Sequence, residues 1–329
     1  MKEKSDIRGF VDLQVNGYKG IDFSSPDLTE EAFVFACREL EKKGTVAFLP
    51  TIISSAPEIY QKNLRIISRI MRREEFAQML PGIHLEGPFI SAENGYKGVH
   101  PFQQIRRPDL EILKQLIKWS DHQIRMLTIA AELVGADKIC KYAVSKNIIV
   151  SLGHQDANEK QINRLAEKGA SSLTHLGNGI PHLINRHINP IWAGLGNEKL
   201  TAMIVADGFH LPVSLIQTIL KVKGAKQTIM VSDLSPLGGL KPGNYKIWGA
   251  DVVLSQKGFL YDPQTGYLAA SSLSLLDCVN WLLSKEILRF KDIYRMAFQN
   301  PAEFIGLDLK SFKKSKKFRL RDNQILIDS

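Results

Sequence analysis

Cysteine is scarce in this chain: Cys37, Cys140 and Cys278 are its only thiols, far apart and each inside an apolar segment. An odd number at such spacing excludes a disulfide framework and reads as buried thiols in a reducing compartment. Long hydrophobic runs are missing as well. Nothing approaches the roughly 18 consecutive apolar residues that a membrane span needs, and the N-terminal MKEKSDIRGF carries charge without an apolar stretch of the secretory kind. These absences predict a cytoplasmic protein with no membrane partner. There is no internal repeat, and biased composition is confined to the basic stretch SFKKSKKFRLR at 311–321.

What is present is ordinary globular composition, with 44% hydrophobic and 23% charged residues over 329 positions, which excludes disordered and fibrous classes. The formal charge of +9 comes largely from that basic stretch, so it reads as a solvated tail and no nucleic-acid partner is expected. The mild excess left in the body suits a small anionic substrate.

Eight short apolar runs alternate with amphipathic segments: GFVDLQV (9–15), TVAFLP (45–50), PGIHLEG (81–87), IRMLTIAAE (124–132), NIIVSLGH (147–154), SSLTHLGN (171–178), LTAMIVADG (200–208) and QTIMVSDL (227–234). The segments between them have helical periodicity. One runs over 28–44 with Thr29 as N-cap and Gly44 after its last turn, another over 156–170 with Asp156 as a cap. Strands apolar on both faces and separated by helices make a parallel sheet, and eight such units predict a (β/α)8 TIM barrel. After the eighth strand, the glycine-punctuated 245–271 reads as a β-hairpin insertion, and KFRLRDNQILIDS as a small terminal hairpin around Asp322 and Asn323. The expected division is a barrel over 1–310 and a tail with hairpin over 311–329.

Unexpected polar residues fall where barrel strands end. Glu86 closes the third strand, His154 the fifth and His175 the sixth; Asp207 and His210 follow the seventh, and Asp233 ends the eighth. Active sites of such barrels are built at that face. An isolated buried carboxylate costs several kcal/mol to desolvate unless a cation partners it. Singly, each residue has a plain structural reading: a hydrogen-bonded histidine, a helix-capping aspartate, a Glu86 paired with lysine or arginine. Together, one carboxylate and two imidazoles describe a catalytic divalent-metal site, most simply zinc. Asp233 is then placed to take a proton from water at the metal and deliver it to a leaving group.

The chain resembles the N-acetylglucosamine-6-phosphate deacetylases of the amidohydrolase superfamily. The resemblance rests on GFVDLQVNG, LPGIHLEGPFI, YKGVHP, VSLGHQDAN, LTHLGNGIP, ADGFH, MVSDLSPLGGLKPGNY and LAASSLSL, in family order across about 8–310. It implies hydrolysis of the acetamide of N-acetylglucosamine 6-phosphate, with Asp233 as general base and then acid, and His100 as donor to the carbonyl oxygen. His210 would contact the sugar, and Asn178, Gly179 and Arg186 the phosphate, the arginine reaching in from a neighbouring subunit of a homodimer. Where many amidohydrolases carry a His-x-His pair, this chain has Gln14 and Asn16, which implies one divalent ion on Glu86, His154 and His175: zinc first, iron, manganese or cobalt as alternatives. The family's accessory β-sandwich is expected to be absent or reduced to the terminal hairpin, with 312–328 covering apolar barrel surface. Gly177 and Gly179, and the loop SDLSPLGG, depart from the usual family pattern near the sugar pocket. Two further readings stay open: deacetylation of another N-acyl amino sugar such as N-acetylgalactosamine 6-phosphate, or a catalytically silent sugar-phosphate-binding barrel.

Overall fold

In the computed structural model, residues 7–312 and 318–327 are described. All eight apolar runs are strands of one sheet whose spatial order follows the sequence. They are β1 (Phe10–Val15), β2 (Thr45–Ile53), β3 (Ile83–Glu86), β4 (Ile124–Ile129), β5 (Ile149–Leu152), β6 (Ala170–Leu173), β7 (Thr201–Ile204) and β8 (Thr228–Met230). Every neighbouring pair is parallel. The ring joins between β8 and β1 near the top. Val15 and Leu234 form a parallel bridge, Asn16 N–H donates to the Leu234 carbonyl at 2.7 Å, and Ser232 N–H donates to the Asp12 carboxylate at 3.1 Å.

One helix follows each strand: α1 (Glu30–Lys42), α2 (Pro57–Met71), α3 (Leu110–Trp119), α4 (Ala136–Ser145), α5 (Glu159–Glu167), α6 (Pro190–Gly196), α7 (Val213–Lys223) and, after an insertion, α8 (Leu275–Leu283). Each lays an apolar stripe on the sheet, which is why the strands are buried on both faces. Thr29 caps α1 as expected, its hydroxyl accepting from Ala32 N–H. Asp156 does not cap α5. Asn158 does, in a reciprocal capping box with Gln161, while Asp156 instead accepts a 2.6 Å hydrogen bond from the Tyr96 hydroxyl. The three cysteines are buried and free. Among the described residues, no helix is long and apolar enough to cross a membrane.

The insertion is a three-stranded antiparallel sheet rather than a single hairpin: β9 (Gly243–Ile247), β10 (Ala250–Leu254) and β11 (Leu260–Tyr261). It has a small core of its own built on Leu237, Val252, Leu254, Leu260 and Ala269. The expected terminal hairpin is present as β12 (Phe318–Arg321) and β13 (Gln324–Ile327), turning at Asp322 and Asn323, both at positive φ. It does cover barrel surface. The Phe318 ring meets Phe10 edge-on at 5.8 Å, Ile325 is buried, and the Asn280 side chain bonds both the N–H and the carbonyl of Ile325. Residues 313–317 of the basic stretch lie outside the described residues. Removing a large buried ring leaves a cavity that the surroundings fill only in part, so Phe318→Ala is expected to cost about 3 kcal/mol. A lower midpoint in urea unfolding, with far-UV circular dichroism unchanged, checks it.

Candidate active site

The strand ends deliver their polar side chains to one point. Glu86 is the last residue of β3, while His154 and His175 each stand two residues beyond their strands. The two histidines and Asp233 have positive φ, 50°, 31° and 50°. This left-handed conformation costs an L-residue of order 1–3 kcal/mol and persists only where surrounding structure imposes it. The turn swings each side chain off the sheet and over the barrel axis. Glu86 Oε1 lies 3.2 Å from His154 Nε2 and 3.0 Å from His175 Nε2, and the two Nε2 atoms are 3.0 Å apart. All three residues are buried.

The donor set fits a metal ion. His154 Nδ1 is 2.8 Å from the Tyr96 carbonyl, which only accepts, so Nδ1 carries the hydrogen and Nε2 of the neutral ring presents a lone pair. That lone pair faces a carboxylate oxygen and a second imidazole nitrogen, a crowd of acceptors that a divalent cation between them would resolve. Burial alone would raise the Glu86 carboxyl; the facing His154 and His175 imidazoles hold it well below the usual range. Two glycines press on the same ring. A Cβ on Gly98 would sit 3.0 Å from His154 Cε1, and one on Gly179 would sit 3.0 Å from His154 Nδ1 and 3.2 Å from His175 Cε1, both glycines having positive φ.

Asp233 stands beside this cluster without joining it. Its Oδ1 accepts from Gln14 Nε2 at 2.9 Å and from Asn16 Nδ2 at 2.8 Å, and the same Gln14 Nε2 donates to Glu86 Oε1 at 2.9 Å. Burial, reinforced by the Glu86 charge, pushes the Asp233 carboxyl up to about 6. Gln14 Oε1 and Asn16 Oδ1 are buried with no partner. The two residues that replace a metal-binding pair are thus amide donors to the carboxylates.

His100 is also buried, and Ser54 sets its tautomer. Ser54 N–H donates to His100 Nδ1 at 3.2 Å, so the hydrogen of the neutral ring is on Nε2, 3.8 Å from Glu86 Oε2. Burial pushes His100 well below its ordinary value, which keeps the ring neutral. His210 Nδ1 bonds Asp207 Oδ2 at 2.8 Å, and Asp207 further accepts from the Ser271 hydroxyl and from the N–H groups of Phe209 and His210. Burial would raise Asp207; His210 and those backbone donors bring it to about 2.

These groups share a cavity of about 430 Å³, which Asn178 and Gly179 also line. Arg186 does not line it. That side chain is exposed, and among the described residues no lysine or arginine borders the cavity. His84 escaped the sequence reading. It projects into the barrel two positions before Glu86 and links Thr51 and Thr128 by 3.2 and 2.8 Å contacts, continuing through Thr174 to Ser151. Burial lowers His84 to about 4, so it is a neutral prop beneath the site. Its signal was period-two alternation, which puts His84 and Glu86 on one face of β3. Ser54 and Tyr96, which orient His100 and His154, had no signal of that kind, whereas Asp207, which orients His210, was marked by its place after the seventh strand.

Gly179→Ala should displace both imidazoles, lowering affinity for a divalent ion by about tenfold, a typical loss when ligand orientation is disturbed. Competition between Co²⁺ and a chromogenic chelator measures it; unchanged affinity would show that the rings have room to yield.

No protein-family model matches the chain. The N-acetylgalactosamine-6-phosphate deacetylase of a Shewanella species is 31% identical over 305 residues, covering 91% of this chain and 74% of that protein. The N-acetylglucosamine-6-phosphate deacetylase of Caenorhabditis elegans is 30% identical over 314 residues, covering 91% and 73%. Among solved structures, the N-acetylglucosamine-6-phosphate deacetylase of Pasteurella multocida is 29% identical with a TM-score of 0.82, covering 91% of this chain and 76% of that one. With the sequence match, the barrel and the Glu–His–His cluster in agreement, the chain belongs to the N-acetylglucosamine-6-phosphate deacetylase family of the amidohydrolase superfamily.

Proposed function

We propose that this chain hydrolyses the acetamide of N-acetylglucosamine 6-phosphate, giving glucosamine 6-phosphate and acetate. The observation that carries the reading is Asp233 held beside, but outside, the Glu86–His154–His175 cluster on the floor of one cavity. A divalent ion bound by those three residues, zinc by its preference for nitrogen and oxygen donors, supplies a Lewis acid and makes water more acidic. Asp233 Oδ2, the oxygen not held by Gln14 and Asn16, takes the proton of the attacking water and passes it to the departing nitrogen. His100 Nε2–H donates to the carbonyl oxygen as negative charge grows there, which a neutral ring with its hydrogen fixed on Nε2 is prepared to do. His210, oriented by Asp207, presents Nε2 to a sugar hydroxyl.

The phosphate is offered backbone at Gly179, the Asn178 N–H being taken by the His175 carbonyl at 2.9 Å, and no lysine or arginine among the described residues borders the cavity to supply its counter-charge. Arg186 of a second copy meets that need and makes the working unit a homodimer. Exposed Leu183, Ile188 and Trp192, on the same segment, give the two copies an apolar surface to share. A cytoplasmic setting is supported by the three buried, unpaired thiols, which suit a reducing compartment. The second reading, N-acetylgalactosamine 6-phosphate, is favoured by the Shewanella relative, which carries that substrate in its name.

Asp233→Asn should lower acetate release by about 10²- to 10⁴-fold, the usual contribution of a positioned acid–base group, with metal content unchanged by elemental analysis. Activity should fall as pH drops through the Asp233 value, and the bound cation should hold the acid limb of kcat/KM below about pH 6, since positive charge favours the carboxylate. Arg186→Ala should abolish the preference for phosphorylated over free N-acetylglucosamine; a preference that survives would move the phosphate contact elsewhere.

A further inference from the structure

Trp248 and Gly249 are the two residues that connect β9 to β10, and both have positive φ, 53° and 82°. Two-residue hairpins of this kind are normally Asn-Gly or Asp-Gly, because a bulky L-residue there costs roughly 1–2 kcal/mol. Turn formation therefore gives no reason for tryptophan, and the strain points to what its side chain does.

The indole is fixed at its polar edge: Trp248 Nε1 donates to Asp22 Oδ2 at 3.0 Å, while Asp22 Oδ1 accepts from Ser24 N–H at 2.8 Å. Asp22 belongs to a short antiparallel ribbon (Gly17–Tyr18 with Ile21–Asp22) just after β1, so this bond ties the insertion tip to the barrel mouth. Trp248 borders the active-site cavity and also a second one of about 670 Å³ between the insertion and residues 94–103. It shares that position with Gly95, Gly98, Val99, His100, Tyr267 and Leu268, which border both cavities. Polar side chains of the active-site cavity such as Glu86, His100, His154, His175, His210 and Asp233 come from the barrel, whereas the insertion adds the rings of Trp248, Phe259 and Tyr267.

We propose that Trp248 is a substrate-binding residue whose indole, held by Asp22, supplies the flat apolar surface on which the C–H face of the substrate's pyranose ring packs. This rests on the deacetylase reading above. A sugar presents hydroxyls around its rim and C–H groups on its faces, so a site that grips the rim with barrel histidines still needs a surface for a face. Such a surface contributes to binding alike before and during the reaction and belongs in KM, not kcat.

The test measures acetate release from N-acetylglucosamine 6-phosphate and N-acetylgalactosamine 6-phosphate by the metal-loaded full chain and four variants. Trp248→Ala is expected to raise KM about tenfold with kcat within about threefold, a loss matching removal of one aromatic contact surface. Trp248→Phe keeps a flat ring without the N–H and should stay within about threefold of wild-type KM. Asp22→Ala should raise KM, and Asp22→Asn, which keeps an acceptor oxygen, should restore it. Glucosamine 6-phosphate should change the tryptophan fluorescence of wild type but not of Trp248→Phe. A wild-type KM in Trp248→Ala, or a Trp248→Phe as impaired as Trp248→Ala, overturns the stacking role and leaves the deacetylase reading standing. Absence of acetate release by wild type from both sugars overturns the deacetylase reading and this proposal with it.

Discussion

Two buried carboxylates, Glu86 and Asp233, share one amide donor at the mouth of this barrel, and the rest of the site follows from keeping them there. Like charges taken out of water together are costly, and a protein can hold them only with opposite charge or fixed donors nearby. Here both are present. Glu86 is faced by two imidazoles and a place for a cation, while Asp233 receives the N–H groups of Gln14 and Asn16. The two acids are therefore driven apart in character: one is pulled low by its neighbours, and the other is raised by burial and by the first acid's charge. A ligand must stay ionised and a proton carrier must be able to change state, so the split matches the two roles.

The barrel achieves this with local backbone devices. Strand alternation puts Asp12, Gln14 and Asn16 on one face of β1 and its continuation, and His84 and Glu86 on one face of β3, all buried. Positive φ at His154, His175 and Asp233 then turns side chains inward that a continuing strand would carry past the axis. Gly98 and Gly179, both at positive φ, let two loops close onto the His154 ring, where a Cβ would stand within 3.0 Å of it and press it aside. Beneath, a chain of hydroxyls and a neutral His84 fills the interior with satisfied polar contacts rather than charge. Strain above and hydrogen bonds below make a rigid seat.

The eight strands and the Glu86, His154, His175 and Asp233 set were legible because each signal is periodic or positional: apolar runs at regular spacing, with a polar residue at each end. What stayed illegible depends on contacts between distant segments. Ser54 sets the His100 tautomer from 46 residues away, and Tyr96 fixes His154 through a backbone carbonyl that any residue type possesses. Asp156 read as a cap because the sequence 156–158 offers two capping residues, and only the structure shows that Tyr96 claims the first and α5 the second. The insertion, expected as a hairpin over 245–271, has a third strand that the sequence hardly marks, since it is only Leu260–Tyr261. Arg186, expected at the phosphate, has its side chain outside the cavity of the single chain, and a contact between copies leaves no periodic or positional signal in a sequence.

Gln14 and Asn16 connect metal number to substrate choice. Their NH2 groups point at the carboxylates, and turning either amide over would set an oxygen against a negative charge, so the network fixes them as donors. Donors aimed at that space disfavour a second cation there, in keeping with the single ion and the proton-carrying Asp233 of the proposed reaction. In that proposed reaction the barrel residues act on the acetamide. Relatives at about 30% identity bear names for two epimeric substrates, and the acetamide that reacts is common to both. Discrimination must then come from surfaces that meet the ring away from the acetamide, which are loops and the inserted sheet, the parts of a barrel enzyme that vary without disturbing its core.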